Sequence, residues 1–402
     1  MPKPGAMKVV GLFAGIGGIE EGLRRSGGFE SELLCEIDPG ARAVLKTRFS
    51  SASIATDVRQ LKSLPVVDLL TAGFPCQDLS QAGRTVGIGG DQSGLIANVF
   101  RLLRNKRSRP RWLLLENVPF MLQLQRGRAM RYLVDALEDL GFTWAYRVVN
   151  ANAFGIPQRR LRVVLLASST EDPRPVLFGC DSTVDPKRFS GSEMCGFYWT
   201  EGLRGLGWAV DAVPTLKGGS TIGIPSPPGI WDPLDHSVGT PDIRDAERLQ
   251  GLPENWTEPA LQVPGVKAGH RWKLVGNAVS AAMAEWLGQR LIDSPEEFPE
   301  GTLLKGGLAW PRAAWGHKEN VYAVDVSSFP VQRSQQSLRE FLRYPRAPLS
   351  HRAAAGFYSR TTGAGLRFEP SFIRDVKAHI EWMNQFAPTR NGRQEKEQRR
   401  SA

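Results

Sequence analysis

A cysteine, an acid and two arginines have the clearest capacity for chemistry in this sequence. Cys76 lies in the segment GFPCQDLS, at the end of an apolar run and among polar residues. A cysteine can be a buried apolar residue, a metal ligand, half of a disulfide or, as its thiolate, a nucleophile. None of the four cysteines forms a C-x-x-C pair, and the five histidines are scattered. A structural zinc site is therefore not expected, and a disulfide is disfavoured in a cytosolic protein.

Polar residues also end or begin two other apolar runs. Glu116 and Asn117 end LLLENVP, and Gln158, Arg160 and Arg162 lie in GIPQRRLR. An acid there can donate a proton or a hydrogen bond to a ring nitrogen, although a helix cap or a solvated turn would also explain it. Residues two apart in a strand face the same side, so the glutamine and both arginines are expected to share one face. Paired arginines would stabilise negative charge or bind a carbonyl or phosphate; a basic strand edge is the alternative.

Glycines and acids near the start of the chain suggest a cofactor site. The segment Phe13-Ala14-Gly15-Ile16-Gly17-Gly18 joins a predicted strand to a predicted helix, where glycine lets a ligand approach the backbone. Glu36 follows at the end of the next strand, about 20 residues on, where a carboxylate can bind ribose hydroxyls. Asp57 could face an adenine amino group. The set favours an adenosine-containing cofactor over a tight turn alone, while a nicotinamide-dependent dehydrogenase would explain only the glycines.

Alternating strands and helices must position these side chains. Strands are predicted at MKVVGLFAG, SELLCEID, VVDLLTAGF, RWLLLENV, WAYRVVNA and RRLRVVLLAS, and helices at IEEGLRRSG, ARAVLKTRF, GLIANVFRLLRN and AMRYLVDALEDLGF. This alternation predicts an α/β fold with a mostly parallel sheet covered on both sides. Ligands collect at the carboxyl edge of such a sheet, and Cys76 would lie there beside Glu116 and the arginines. That position favours a nucleophile over an inert thiol.

The pattern changes near residue 169. From there to about residue 240 the chain is rich in Gly, Pro, Ser and Trp, which predicts a smaller irregular domain of loops and short strands. The helix VGNAVSAAMAEWLGQRLID follows, and its small residues are expected to pack closely on the sheet. The last residues, PTRNGRQEKEQRRSA, are polar and basic, which is typical of a disordered tail.

The charge balance indicates a polyanionic partner. Lys and Arg number 51 and Asp and Glu 41, giving a formal net charge of +10. Such an excess fits nucleic acid, although a basic protein without such a partner is the alternative. With 41% hydrophobic and 23% charged residues the composition is that of a globular protein. No run of about 18 apolar residues and no secretion signal is present, so no membrane span and a cytoplasmic location are expected.

Taken in order, eight segments resemble the DNA (cytosine-5)-methyltransferases, most closely the bacterial and phage type. They are GLFAGIGG, CEID, TDV, AGFPCQDLS, LLLENV, GIPQRRLR, RDAERLQGLPENW and LVGNAVS, and the resemblance spans residues 9 to about 290. The resemblance implies a Rossmann-like, mostly parallel methyltransferase domain with a smaller irregular target-recognition domain. It also implies double-stranded DNA as the partner and S-adenosylmethionine as the cofactor, which becomes S-adenosylhomocysteine, with no metal.

The resemblance implies a role for each matched catalytic residue. Cys76 would add to C6 of cytosine, and Glu116 would hold or protonate N3, which eases that attack. Arg160 and Arg162 would hold the base and steady the cysteine segment. C5 then takes the methyl group, and loss of the C5 proton and elimination of Cys76 release 5-methylcytosine. Because the target atom is out of reach in a duplex, the base must be flipped out.

The same resemblance assigns two larger sets. Cofactor contacts are implied at Phe13, Ala14, Gly15, Gly17, Gly18, Glu36, Ile37, Asp57, Val58, Gly73, Pro75, Leu95, Asn277 and Val279. DNA contacts are implied at Gln77, Ser80, Arg84, Thr215 and Lys217. The base-reading residues of the target-recognition domain are not identified by the sequence.

The expected domains are a catalytic domain at residues 1–168 plus 266–292, a target-recognition domain at 169–265, a C-terminal extension of unknown role at 293–387 and a basic tail at 388–402. We expect a monomer in a restriction-modification or other phage-defence system, with a cognate restriction enzyme or defence protein as a partner. An RNA cytosine-5 methyltransferase and a catalytically silent DNA-binding protein on this fold are the alternatives.

Overall fold

The computed structural model describes residues 5–74, 94–184, 187–203, 205–219, 225–305, 309–318 and 320–385. Five residues assigned above to the site lie outside these ranges, namely Pro75, Cys76, Gln77, Ser80 and Arg84. The tail at 388–402 lies outside them too. No described helix is long and apolar enough to reach across a bilayer.

Helices and strands alternate through the first part of the described chain, as the sequence predicts. The helices are α1 (Gly18–Ser26), α2 (Pro39–Arg48), α3 (Leu95–Leu103), α4 (Arg128–Asp139), α5 (Arg174–Phe178), α6 (Ile243–Leu249), α7 (Ala268–Asn277), α8 (Ala281–Ile292), α9 (Leu338–Phe341), α10 (His351–Gly363) and α11 (Pro370–Gln385). The strands are β1 (Met7–Leu12), β2 (Phe29–Cys35), β3 (Ser53–Ala55), β4 (Leu69–Ala72), β5 (Trp112–Asn117), β6 (Thr143–Asn150), β7 (Gln158–Arg159), β8 (Leu161–Ser168), β9 (Cys195–Phe197), β10 (Ala209–Val210), β11 (Val213–Pro214), β12 (Gly229–Asp232), β13 (Ser237–Thr240), β14 (Thr302–Leu303), β15 (Ala313–His317), β16 (Asn320–Ala323) and β17 (Ala347–Pro348).

A ten-stranded sheet has the order β14-β16-β15-β6-β8-β5-β4-β1-β2-β3. Strands β1 to β5 are parallel, so their carboxyl ends meet at one edge. Every residue of β4 and β5 is buried, as expected of strands covered by helices on both faces. With β6 and β16, seven of the ten strands run in this direction. The predicted α/β class with a mostly parallel sheet is confirmed.

The half of the sheet beyond β5 is antiparallel. Strand β8 pairs antiparallel with both β5 and β6, so it lies between them and runs in the opposite direction. Strands β15, β16 and β14 continue the sheet beyond β6. These three strands come from the segment that the sequence left without a role.

Helix α8 packs against α1, and glycines allow the close approach. A Cβ added to Gly22 of α1 would stand 2.3 Å from the Ala281 carbonyl oxygen, and one on Gly288 of α8 would stand 2.2 Å from Ser26 Oγ. Either distance is too short for a side chain. The small residues therefore serve a contact between two helices, whereas the sequence predicted a contact with the sheet.

The chain forms two compact units. The large unit comprises Met1–Pro186, Thr215–Pro225 and Ile243–Gln336, and the small unit comprises Lys187–Pro214, Ser226–Asp242 and Ser337–Ala402. These bounds follow packing, whereas the domains expected above (1–168 plus 266–292, 169–265 and 293–387) follow function, and that functional division remains a prediction. The two divisions differ because the C-terminal extension is split between the units, and because parts of residues 169–265 belong to the large unit.

The small unit has its own sheet and core. Its sheet has the order β10-β9-β12-β13-β17 and is antiparallel. Phe372 of α11 lies at the centre of an aromatic cluster, with ring centroids 5.0 Å from Phe197 and Trp208 and 5.5 Å from Trp231. Phe357 of α10 joins the same buried cluster. Helices from the end of the chain therefore complete the core of this unit.

We expect Phe372→Ala to destabilise the small unit by about 3–5 kcal/mol, because it removes a fully buried ring and leaves a cavity. Urea unfolding followed by near-ultraviolet circular dichroism should show the loss of the tryptophan signal at lower urea. Leu234→Ala is the control, since Leu234 of the same unit is 62% exposed and its truncation should cost under about 0.5 kcal/mol. Equal urea midpoints for the two variants would contradict this description of the core.

Candidate active site

A glycine-rich loop leads from β1 into α1. Gly15 and Gly17 have φ angles of 56° and 82°, in the left-handed region that favours glycine. A Cβ on Gly17 would stand 2.3 Å from the Phe49 ring, and one on Gly18 would stand 2.2 Å from the Val279 carbonyl oxygen. Chain neighbours aside, no atom of the described residues lies within 4 Å of the position for a Cβ on Gly15. The loop thus packs on the protein at Gly17 and Gly18 and is open at Gly15.

Glu36 holds this loop to the end of β2. Its Oε2 accepts a hydrogen bond from the Gly15 N–H at 2.8 Å, and its Oε1 accepts one from the Asp38 N–H at 2.8 Å. The next residue, Ile37, is 64% exposed, which is unusual for a large apolar side chain at the end of a buried strand. A carboxylate and an apolar side chain therefore lie together beside the open part of the loop.

Asp57 lies two residues after the end of β3, the strand that pairs with β2. It accepts hydrogen bonds from the backbone N–H and the guanidinium of Arg59, and these bonds hold the pKa of Asp57 below its usual value. Val58 is buried beneath it. The Glu36 N–H donates to the Ala55 carbonyl at 3.1 Å, so the two acids end adjacent strands. Asp57 is therefore a fixed carboxylate at the same edge as Glu36.

Glu116 and Arg162 form an ion pair at the carboxyl edge of β5, with Arg162 Nε 2.8 Å from Glu116 Oε1. Glu116 is directly opposite Val164 in the β5–β8 ladder, and Arg162 lies two residues from Val164 on the same face. Both side chains are about nine-tenths buried, at 10% and 11% exposure. The pair is thus set by the register of two antiparallel strands.

The predicted residues converge around Gly73, which follows β4. A Cβ there would stand 3.6 Å from Val279 Cγ2, 3.7 Å from Glu116 Oε2 and 4.0 Å from the Phe13 carbonyl oxygen. Asn117 Nδ2 donates to the Phe74 carbonyl at 3.0 Å, which fixes the chain at the last described residue before the segment that contains Cys76. The glycine-rich loop, Glu116 and Val279 therefore meet at Gly73, three residues before Cys76 in the sequence.

Gln158 and Arg160 contact the segment that precedes Lys217 and the end of α7. The Gln158 side chain accepts from the Leu216 N–H at 3.1 Å, and Arg160 donates to the carbonyls of Leu216 at 3.1 Å and Ala278 at 2.6 Å. Arg160 is 2% exposed. Exposed Arg159 and Leu161 alternate with Gln158, Arg160 and Arg162, which is the pattern of the common face that the sequence predicted.

The remaining predicted residues lie near Leu216 and Ala278, which Arg160 contacts, or pack against the core of the large sheet. Thr215 Oγ1 donates to the Arg159 carbonyl at 3.0 Å. Lys217 passes so close to Gly276 that a Cβ there would stand 2.1 Å from the Lys217 carbonyl carbon, and Asn277 is exposed beside it. Leu95 begins α3 and packs with Phe13 against the core of the large sheet, and Ala14 donates its N–H to the Cys35 carbonyl.

The described cysteines are free, and two of them are poor nucleophiles. Burial raises the pKa of the Cys35 thiol to about 11 and that of Cys195 to about 12, so both stay protonated near neutral pH. Cys180 is exposed. Within the described ranges no group of three or more His, Cys, Asp or Glu side chains could hold a metal ion.

Sequence reasoning missed Glu20. Its side chain lies between α1 and the sheet, where Thr71 Oγ1 donates to Glu20 Oε1 at 2.9 Å. A Cβ on Gly11 would stand 2.4 Å from the same oxygen, so the glycine makes room for the acid. Burial raises the pKa of Glu20 to about 7. Helical spacing does place Glu20 on the same side as Leu23, three residues on, and that was the available signal.

Comparisons with known proteins identify the family of this chain. The family model of the C-5 cytosine-specific DNA methylases matches residues 7–192. The type II methyltransferase M2.BsuMI of Bacillus subtilis (strain 168) is 48% identical over 385 residues, 92% of this chain and 97% of that protein. The type II methyltransferase M.BanI of Aneurinibacillus aneurinilyticus is 35% identical over 196 residues, 48% of this chain and 45% of that protein. The structure of the Entamoeba histolytica methyltransferase EhMeth aligns with a TM-score of 0.50 at 15% identity, covering 72% of this chain and 98% of that chain.

The fold is that of a methyltransferase with a Rossmann-like sheet. The chain belongs to the C-5 cytosine-specific DNA methylases, because a relative matched along nearly its whole length is close to half identical. It is a DNA cytosine-5 methyltransferase, as the resemblance of its segments predicted.

We expect the stability of the large unit to fall as pH rises from about 4.5 to about 7, because folded Glu20 keeps its proton in this window and unfolded Glu20 does not. The decline is at most about 1.4 kcal/mol per pH unit and about 3 kcal/mol in total. Glu20→Gln should remove it, since the amide oxygen can still accept the Thr71 hydrogen bond. Urea unfolding across this window measures the difference.

Glu258→Gln is the matched control for this experiment. Glu258 is exposed on the same unit, so its substitution should leave the pH dependence of wild-type stability in place. A decline as steep in Glu20→Gln as in the control would show that the buried carboxyl is not its source.

Proposed function

We propose that this enzyme methylates C5 of a flipped-out cytosine in a short specific duplex site through a covalent bond from Cys76 to C6. The observation that carries the proposal is the Glu116–Arg162 pair, which lies beside Gly73 where the chain leaves β4 toward Cys76. An acid held next to the expected nucleophile is what attack on an electron-rich ring requires.

Each step of the reaction has a residue that could perform it. The Cys76 thiolate adds to C6 while Glu116 protonates or hydrogen-bonds N3, so the ring accepts the electron pair. S-adenosylmethionine supplies the methyl group that C5 takes up. A base then removes the C5 proton, and the electron pair left behind expels Cys76 and restores the double bond. Arg162 orients the Glu116 carboxyl through their ion pair.

The residues present fit S-adenosylmethionine. Gly15 is the open point of the loop, Glu36 offers a fixed carboxylate to ribose hydroxyls, and exposed Ile37 offers an apolar surface to the adenine ring. Asp57 would accept from the adenine amino group. The other proposed contacts are Phe13, Ala14, Val58, Gly73, Pro75, Leu95, Asn277 and Val279. Gly17 and Gly18 would act by letting the loop pack on Phe49 and Val279.

Arg160 is proposed as a positioning residue. Its buried guanidinium donates hydrogen bonds to the carbonyl of Leu216, which precedes Lys217, and to the carbonyls of Gly276 and Ala278 at the end of α7. Asn277 and Val279 lie next to these carbonyls in the chain. These hydrogen bonds would keep the proposed DNA contacts Thr215 and Lys217 in place beside the proposed cofactor contacts Asn277 and Val279. Gln77, Ser80 and Arg84 would contact the DNA backbone or the gap left by the flipped base.

The relatives favour DNA over RNA and an active enzyme over a silent one. M2.BsuMI and M.BanI are named type II methyltransferases, which fits a restriction-modification system with a cognate endonuclease as a partner. A nicotinamide-dependent dehydrogenase would not explain the Glu116–Arg162 ion pair. A monomer acting on double-stranded DNA is therefore proposed.

Bisulfite sequencing of plasmid DNA from cells that make this protein tests the activity and identifies the target site. We expect one cytosine within a recurrent short sequence to resist conversion. Cys76→Ser should abolish this protection, because the hydroxyl is a far weaker nucleophile than the thiolate. Cys180→Ser is the matched control and should retain it, since Cys180 is exposed and has no proposed role.

A duplex that carries 5-fluorocytosine at the identified position tests the covalent step. Fluorine at C5 cannot leave as a proton does, so wild type should remain attached to the DNA under denaturing conditions, and Cys76→Ser should not. Methylation by Cys76→Ser, or a wild type without the adduct, would exclude the mechanism. More label in tRNA than in duplex DNA, offered together as methyl acceptors, would favour the RNA alternative.

Gly73→Ala should weaken S-adenosylmethionine binding about tenfold or more without unfolding the enzyme. The new methyl group would meet Val279 and Glu116 at ordinary contact distances of 3.6 and 3.7 Å, yet it would project where the predicted contacts converge. Calorimetric titration gives the affinity and thermal unfolding gives the stability. Gly205→Ala is the control, because no described atom lies within 4 Å of its Cβ position. Unchanged cofactor affinity in Gly73→Ala would remove Gly73 from the site.

A further inference from the structure

The C-terminal segment from Ser337 to Gln385 is an integral part of the small unit. Residues from Leu349 to Val376 share one buried cluster with Cys195, Phe197 and Trp231 of the central segments. Strand β17 adds to β13 at the edge of the sheet, with Ala347 opposite Thr240. The central segments 187–214 and 226–242 therefore do not form a closed core by themselves.

Buried polar groups of the central segments are also satisfied by this C-terminal segment. The Asp232 carboxylate is buried and pairs with Arg339 and Arg346. Trp231 Nε1 donates to Asp375 Oδ2 at 3.0 Å, and the Leu338 N–H donates to Asp211 Oδ1 at 2.7 Å. Without its two arginines Asp232 would be a buried charge with no cation beside it, which costs several kcal/mol.

The charge of the small unit comes from the same end of the chain. The central segments 187–214 and 226–242 contain three basic and six acidic residues, whereas residues 337–385 contain eight basic and four acidic ones. The described C-terminal part thus has a net charge of +4, against −3 for the central segments. A surface that binds a polyanion needs an excess of cations, and the central segments are acidic.

Helices α10 and α11 contact each other as a helical hairpin, which exposes several of these cations. Arg352 of α10, Arg367 of the connection, and Arg374 and Lys377 of α11 are all exposed. Arg374 and Lys377 are three residues apart and lie on the same side of α11. Glu369 and Glu381 are exposed acids of the same hairpin.

We propose that residues Ser337 to Gln385 are the second half of the target-recognition unit, and that the α10–α11 hairpin binds DNA phosphates. This inference rests on the proposed function, since it takes the small unit to be the part that reads DNA. The central segments would read the bases, and the C-terminal half would complete their core and supply the cations that attract the duplex. A composite unit of this kind gives the C-terminal extension a role that its sequence did not indicate.

The salt dependence of DNA binding tests this proposal with two full-length variants. The hairpin variant changes Arg352, Arg367, Arg374 and Lys377 to Gln. The control variant changes four exposed cations of the large unit to Gln, namely Lys46, Arg104, Lys106 and Arg107, which precede the amino ends of β3 and β5. Dissociation constants are measured from low to moderate salt for a duplex with the target site and for an unrelated duplex.

Each phosphate contact contributes about 0.9 to the slope of log affinity against log salt, so the hairpin variant should lose about 2 to 4 from the wild-type slope. Both duplexes should weaken alike, because phosphate contacts carry no sequence information. The control variant should keep the wild-type slope. Equal slopes in the two variants would overturn the proposal and leave the hairpin a structural support only.

Two further measurements separate the possible failures. If the four substitutions unfold the small unit, the double variant Arg374→Gln, Lys377→Gln replaces them and should lose about half as much slope. The 5-fluorocytosine adduct is measured on the wild type in parallel. No adduct would mean that the proposed function fails, whereas a normal adduct with an unchanged slope in the hairpin variant would mean that only this inference fails.

Discussion

Strand β8 enters the sheet antiparallel to β5, and this direction brings the acid and the arginine of the site together. The residues that begin β8 lie where β5 ends, so Arg162 reaches Glu116 across one ladder. Had β8 been parallel, its first residues would lie at the opposite edge of the sheet, roughly 20 Å away for a six-residue strand. Every other part of the site is arranged around the edge that this pairing defines.

Glycines then set how closely the other segments approach that edge. Gly18 lets the loop after β1 touch Val279, Gly73 leaves room between Val279 and Glu116, and Gly276 lets the backbone of Lys217 pass against α7. Each contact involves a different part of the chain, so the site depends on several backbone approaches at once. Arg160 fixes one of them with hydrogen bonds to the carbonyls of Leu216 and Ala278.

The sequence predicted the parallel half of the sheet because buried strands and amphipathic helices have distinct periods. It also identified the residues that meet at Gly73, since strand ends in such a sheet share one edge. Two-residue periodicity also fits the burial of Arg160 and Arg162, but it could not predict their partners, which are distant in sequence. Glu20 was missed for a different reason: an acid beside Glu21 at a helix start resembles ordinary N-terminal charge.

The small unit was the least predictable part because its two halves are far apart in sequence. Arg339 and Asp232 are 107 residues apart, and Asp375 and Trp231 are 144 apart. No local pattern reports such a pairing, since each partner alone resembles a solvated charge or an irregular loop. Closing long loops adds little to the entropic cost of a fold, so the separation is compatible with a stable unit. The charge of Asp232 in the central segments is therefore paired only once the C-terminal segment with Arg339 and Arg346 has folded onto them. The acidic central segments and the basic C-terminal half therefore depend on each other for a satisfied core, and the C-terminal half supplies the positive charge that the proposed DNA-binding role would need.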